Sequence, residues 1–245
     1  PAPLHEIGAR YDVTIFDLER ASMANFPEMQ MKLKNARRQH EATTNWVWLF
    51  GESDRGLSGL CNHPNITVSL AAQNGALTSR LWENKTADEI IADVSTLVNQ
   101  IAEDTLEEYR AAKVYMPFDR IRLLETTFVG TGGNVDSTIL DVLKKRYSGD
   151  NQSNGRIEFL GLHECDAARR LDPRSGSDTS GLSGDFLLAV PEAPSDELSF
   201  IRARPFTQRP PQEDGLALHH ITHSKIGGCK CQIPLAVHRL DFGLV

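Results

Sequence analysis

From Met29 onward the less polar positions of the chain fall at Met29, Leu33, Ala36, His40, Thr43, Val47 and Phe50. Steps of four and three return to one face of an α-helix, so this spacing predicts a helix over 27–50, with Pro27 in its first turn and Gly51 at its end. At 1.5 Å per residue it would span about 36 Å. The stripe is thin, and Lys32, Arg37, Arg38 and Gln39 occupy the remaining circumference. A helix this long with so little apolar surface is better explained by contacts with other subunits than by burial in one core.

A second helical pattern is stronger. In KTADEIIADVSTLVNQIAEDTLEEYR, Ile90, Ile91, Val94, Leu97, Val98, Ile101 and Leu106 share one face. Thr86 and Glu89 have capping-box spacing, and Asp88 complements the positive helix end. Shorter patterns surround these two. Residues 12–25 read as a strand end and a short helix that Asp17 caps. NHPN at 62–65 is a turn, after which Ile66, Val68 and Leu70 alternate as in a half-buried strand. VYMP is a short buried strand, DRIRLLETTF a helical piece capped by Asp119, and STILDVLKKRY an amphipathic helix after the GTGGN turn. RIEFLGL, DFLLAV and LSFIRARPF read as strands, and the Ser/Gly/Asp-rich segment 172–185 as a mobile surface loop. From Gly215 the chain reads as a hairpin-like pair, LALHHITH and CKCQIPLAVHRL, joined by the turn SKIGG. Helices and antiparallel strands in separate blocks predict an α+β fold.

Composition excludes several classes. A net charge of −7 argues against binding nucleic acid through a general basic surface. Four cysteines at irregular spacing are too few for a disulfide framework in 245 residues, which favours a reducing compartment. No apolar run approaches the roughly 20 residues of a membrane span, and PAPLHEIGARYD lacks the basic start and apolar middle of a secretory signal.

The densest candidate chemistry is HHITHSKIGGCKC, from His219 to Cys231. His219, Ile221 and His223 point one way in a strand, and Cys229 and Cys231 share a face, so a zinc site is geometrically conceivable. Cys-x-Cys on a strand lacks the turn that lets two sulfurs converge on a metal, and the better reading is ordinary strand residues. HECD at 163–166 reads as a polar loop, because adjacent residues on an extended chain point apart. GTGGN lacks the Lys-Ser/Thr of a phosphate loop. Glu103, Asp104, Glu107 and Glu108 read as a solvated helix face, and Trp46, Trp48 and Trp82 as core or interface anchors. Lys144, Lys145 and Arg146 suit either a solvated helix end or a contact with DNA or a neighbouring subunit. No catalytic residue, cofactor site or metal site emerges, and an enzyme is not the expected class.

Three segments together carry a resemblance: WLFGESDRGLSGLCNHPNITV, KTADEIIADVSTLVNQI and PFTQRPPQEDGLALHHITHSKIGGCKCQIPLAVHRLDFG. They resemble, in order, the spine-helix end with its Gly-Leu-x-Gly-Leu-x-Asn-His-Pro-Asn signature, the helix after it and the closing segment of tailed-bacteriophage major capsid proteins. The resemblance implies the Hong Kong 97-type phage capsid fold, α+β, with a peripheral domain (1–117 and 206–245, spine helix about 27–50) and an inserted axial domain (118–205). It implies self-assembly into hexamers and pentamers of an icosahedral shell around packaged double-stranded DNA, touched nonspecifically. Portal, scaffold and decoration proteins are the further partners, no membrane is involved, and the place is the virion, after assembly in the host bacterial cytoplasm. An encapsulin-like cellular shell is the runner-up, ahead of a metal-dependent enzyme. In this fold the spine helix crosses the shell wall, so its polar flank, Arg37, Arg38 and Glu41, is expected to face neighbouring subunits. Family members carry an N-terminal arm and an extended loop before the spine helix. Only about 26 residues precede Pro27 here, so removal, absence or replacement of those parts stays open.

Overall fold

The computed structural model describes residues 3–23, 27–74, 79–130, 137–147, 157–192 and 197–242. In chain order the elements are β1 (His5–Thr14), α1 (Ile15–Met23), α2 (Glu28–Phe50), β2 (Thr67–Leu70), α3 (Ala87–Asp104) and β3 (Ala111–Met116). Then come α4 (Phe118–Thr126), α5 (Ile139–Tyr147), β4 (Glu158–Gly161), β5 (Phe186–Pro191), β6 (Leu198–Gln208), β7 (Gln212–Asp214), β8 (Ala217–Cys231) and β9 (His238–Asp241). Most of the GTGGN turn lies outside the described residues.

The chain forms two compact units, the first from 1–62, 172–176 and 199–230. Its sheet has the order β1-β8-β6, with β7 paired to β8. β1 runs antiparallel to β8 from His5↔Ile226 to Thr14↔Ala217. α2 starts and stops where its spacing predicts, but it buries only its C-terminal half: His40, Thr43, Thr44, Trp46, Val47 and Phe50. Met29 and Met31, on the predicted stripe and beside it, are 41% and 46% exposed. α1 is capped by Thr14, whose hydroxyl accepts from the Asp17 N–H, while the Asp17 carboxylate accepts from the Thr14 N–H. Asp17 is thus the reciprocal partner and not the cap.

The hairpin drawn through SKIGG is replaced by one continuous strand, β8, fifteen residues long. Gly227 and Gly228 are absent from the positive-φ glycines, so they need no turn conformation. They serve close approach instead. A Cβ on Gly227 would sit 2.9 Å from the Ile201 Cβ, and one on Gly228 2.5 Å from the Ser58 carbonyl oxygen. The reversal lies earlier, at Asp214-Gly215-Leu216-Ala217, where Asp214 pairs with Ala217 and Gly215 takes φ +60°.

The second unit comprises 63–171, 177–198 and 231–245. Its five-stranded sheet has the order β2-β9-β5-β3-β4. The sheet is mixed, not antiparallel throughout: β2–β9 and β3–β4 are parallel, β5–β9 and β3–β5 antiparallel. Central β5 is buried at all six positions, as a strand covered on both faces must be. α3 forms with the expected capping box and packs Ile90, Val94, Leu97 and Ile101 into the core that also holds Leu124, Leu143, Leu187 and Leu240. α3 therefore shares its core with α4, α5 and β5, whereas the sequence grouping placed it with the spine helix. α4 has no side-chain cap; Asp119 instead pairs with Arg122 and Arg169, each at 3.5 Å.

Three positions depart from the alternating and helical patterns. Val68 and Leu70 are 47% and 57% exposed, because Thr67 and Ser69 turn inward to bond Asp104 and His238. Leu106 leaves the α3 face altogether and is 91% exposed. α3 closes with Leu106 N–H donating to Glu103 O (3.3 Å) and Glu107 N–H to Ala102 O (2.6 Å), a Schellman pattern. The left-handed position after the cap, usually glycine, is Leu106 at φ +53°, followed by Glu107 at +65°. A side chain there costs roughly 1–2 kcal/mol in backbone strain.

Candidate assembly surface

α2 rests on the β1/β8 sheet through a mostly polar layer. Inward-facing residues of β8 alternate as His220, Thr222, Ser224 and Ile226, all buried. Thr222 Oγ1 donates to Ala9 O (3.0 Å) and therefore accepts from His40 Nε2 (3.1 Å), leaving His40 Nδ1 to accept from the Ser224 hydroxyl at 3.1 Å. This arrangement uses a neutral imidazole, and burial lowers the His40 pKa from its ordinary 6.5. Among the described residues, Ile7, Val47, Leu57 and Ile226 form a small apolar cluster beneath the helix. His220 stacks on Tyr11 at 4.9 Å and accepts from Gln208.

The end of α2 is closed by the chain that follows it. Leu60 N–H and Cys61 N–H donate to the Trp48 and Leu49 carbonyls at 2.8 and 2.7 Å, and the Asn62 amide bonds the Phe50 carbonyl. Those carbonyls have no partner inside the helix. The Gly51 and Gly59 backbones pass in contact to make this possible. The GESDRGLSGLCN segment is thus a helix cap built from a returning loop. Beside it, Glu52 holds Arg174 at 2.7 Å, His5 at 3.1 Å and Arg55 at 3.5 Å, and Arg174 also binds buried Asp172 at 2.8 Å. Residues 172–176, read from composition as part of a mobile loop, are pinned by these ion pairs. Sequence reasoning missed this network because its members lie far apart in the chain.

Burial lowers the pKa of four imidazoles, His5, His40, His63 and His238; for His5 the neighbouring Glu52 opposes the effect and Arg55 and Arg174 add to it. Held below their ordinary 6.5, they bind fewer protons than the unfolded chain as pH falls through that value. Unfolding free energy is therefore expected to fall between pH 7.5 and 5.5, measured as a lower urea midpoint at the acidic end. An unchanged midpoint would mean that these imidazoles titrate freely.

The outward face of the same sheet carries charge. Lys225 pairs with Glu6 at 2.6 Å, His219 with Asp12 at 2.6 Å, and Arg204 bonds His223 at 2.9 Å. The histidines of HHITHSKIGGCKC thus alternate between these charge ladders and the layer under α2. Cys229 and Cys231 are half-buried, and burial raises the Cys231 thiol pKa. Among the described residues no three His, Cys, Asp or Glu side chains are grouped to hold a metal. HECD is a short helical turn in which His163 meets Glu164 at 3.1 Å and Cys165 is buried.

The predicted interface residues lie on the exposed flank of α2. Arg37 and Glu41 form an i,i+4 pair at 3.1 Å and border a small cavity lined also by His40, Arg202 and Phe206. Such a surface pair contributes only about 0.3–0.5 kcal/mol within one chain. Arg38 is exposed and has no ion-pair partner among the described residues. The tryptophans divide: Trp46 and Trp82 are core, while Trp48 stacks on Phe200 at 5.0 Å beneath the Arg202 guanidinium. Arg146, in the basic end of α5, bonds Ser95 at 2.8 Å.

This fold is found in solved shell proteins. The capsid of Myoviridae phage XM1 matches 98% of this chain and 74% of its own, with a TM-score of 0.76 and 13% identity. A Mycobacterium phage Ogopogo structure matches 97% and 75%, at TM-score 0.55 and 10% identity. The SrpI encapsulin complex of Synechococcus elongatus PCC 7942 matches 98% and 74%, at TM-score 0.53 and 10% identity. These likenesses define the class by fold, the Hong Kong 97-type shell proteins. No curated protein sequence matches. A sequence profile of the major capsid protein family matches residues 1–242, and the chain belongs to that family. Its role is structural and not enzymatic, and its place is the virion. No helix among the described residues is long and apolar enough to cross a membrane.

Proposed function

We propose that this chain builds an icosahedral phage head from hexamers and pentamers that enclose double-stranded DNA. Family membership over 1–242 carries the reading, and the exposed polar flank of α2 supports it. The part holding the long helix takes the peripheral position, and the part inserted before the closing strands takes the axial one. Arg37, Arg38 and Glu41 meet neighbouring copies, where charge pairs set register and specificity more than net affinity. Portal, scaffold and decoration proteins complete the particle, which assembles in the host bacterial cytoplasm. A cellular encapsulating shell is the second reading, favoured by the likeness to the SrpI encapsulin complex.

Electron microscopy of the purified chain, with any precursor segment and scaffold supplied, tests the shell itself; particles that never close would sink the reading. Arg38→Glu tests the flank. The variant subunit should keep its circular dichroism spectrum yet assemble poorly, since an unpaired buried charge costs about 3–5 kcal/mol per contact. Unchanged shell yield and heat resistance would remove α2 from the interface. Cargo found inside particles in place of DNA would favour the cellular shell.

A further inference from the structure

We propose that the end of α3 is a docking knob for a second copy of this chain, anchored by Leu106 and received by the N-terminal half of that copy's α2. The inference rests on the shell reading and names one of its contacts. Leu106 occupies a left-handed position at φ +53° and is 91% exposed, so packing among the described residues does not offset the strain of a side chain there. Glycine would serve the isolated subunit better. A leucine at that position fits a role outside the protomer.

Beside the knob lies a shallow groove of about 330 Å³ lined by Thr105, Tyr109, Ile233, Pro234 and Leu235, with Leu235 itself 52% exposed. Asp104 and Glu108 line it as well, and Glu103 and Glu107 are their neighbours in the chain, so its margin is acidic. Glu103, Glu107 and Glu108 are exposed and have no ion-pair partner among the described residues. The occupant must therefore combine flexible apolar side chains with positive charge.

α2 of a second copy has that combination. Residues 28–41 hold four basic side chains against two acidic ones. Met31, Lys34 and Arg38 recur at steps of three and four, which sets them in one stripe, and all three are exposed. Lys34 and Arg38 have no ion-pair partner among the described residues. Met29, also exposed, adds a second thioether, a side chain that adapts readily to an irregular apolar surface. Knob and stripe are different surfaces, so the contact is head-to-tail, the kind that closes rings of identical subunits.

Leu106→Gly separates this role from folding. The unassembled variant should unfold at the same or a higher temperature than the parent, while shell yield, counted by sedimentation and electron microscopy, falls by about tenfold or more. Parent-level yield and heat resistance in Leu106→Gly shells would overturn the proposal while leaving the shell reading intact. A parent chain that forms no shells would overturn both. Reversing the margin with Glu107→Lys and Glu108→Lys should also cut the yield, and adding Lys34→Glu and Arg38→Glu to the same chain should restore it. Without that restoration, α2 is not the counterpart.

Discussion

Asp93→Ala is expected to cost about 3–5 kcal/mol of folding stability, because it strands a buried charge. Asp93 lies on α3 with its side chain 3% exposed, and it pairs with Lys85, whose side chain is 1% exposed. The same carboxylate oxygen accepts the Trp82 indole N–H at 3.0 Å. Trp82 in turn meets Phe242 edge-on at 5.5 Å, and the Arg120 guanidinium lies 5.2 Å from the centre of that ring. Removing the carboxylate therefore leaves an ammonium and an indole N–H without partners inside a packed cluster. Thermal unfolding should shift down by on the order of 10 °C. Asp93→Asn, which keeps an acceptor for Trp82, should recover part of the loss, so a variant no better than alanine would place the whole effect on Lys85. A parent-like melting temperature for Asp93→Ala would mean that water already solvates this pair.

Gly51→Ala and Gly59→Ala are expected to be as damaging, by more than about 4 kcal/mol each, through overlap of backbone and not through lost contacts. A Cβ on Gly51 would overlap the Leu57 carbonyl oxygen and reach the Gly59 nitrogen at 2.6 Å, and Gly51 already holds φ +68°. A Cβ on Gly59 would strike the Gly51 nitrogen and the Leu49 carbonyl oxygen. Neither neighbour is a side chain that can rotate away. The returning loop would lift off, and the Trp48 and Leu49 carbonyls would lose their donors at the end of α2. Gly56 supplies the control. It has φ +65° but nothing within 4 Å of an added Cβ, so Gly56→Ala should cost only the conformational strain of about 1–2 kcal/mol. Urea unfolding of the three variants should rank Gly56→Ala well above the other two. Equal midpoints would show that the close passage of Gly51 and Gly59 is not what holds the cap.

Family and fold were both legible in the chain before its structure, and so were the elements whose signals are local. The span of α2 and the capping box of α3 follow from spacings of three and four residues, and the strands β3 and β5 from short apolar runs; such signals act within one element. Tertiary structure decided what each ambiguous residue was for. Gly227 and Gly228 looked like a turn because glycine permits one, but Ile201 and Ser58 lie too close to leave room for a side chain there, and β8 runs on through both. His40 sat on a helical stripe as a weak apolar residue, and only its placement between Thr222 and Ser224 makes it a buried polar link. Val68 and Leu70 alternate correctly yet face outward, because Thr67 and Ser69 find partners in Asp104 and His238. Arg174 and Glu52 stand 122 positions apart, and no local pattern records their meeting. Periodicity reports which side chains share a face; which way that face turns depends on partners that the chain supplies from a distance.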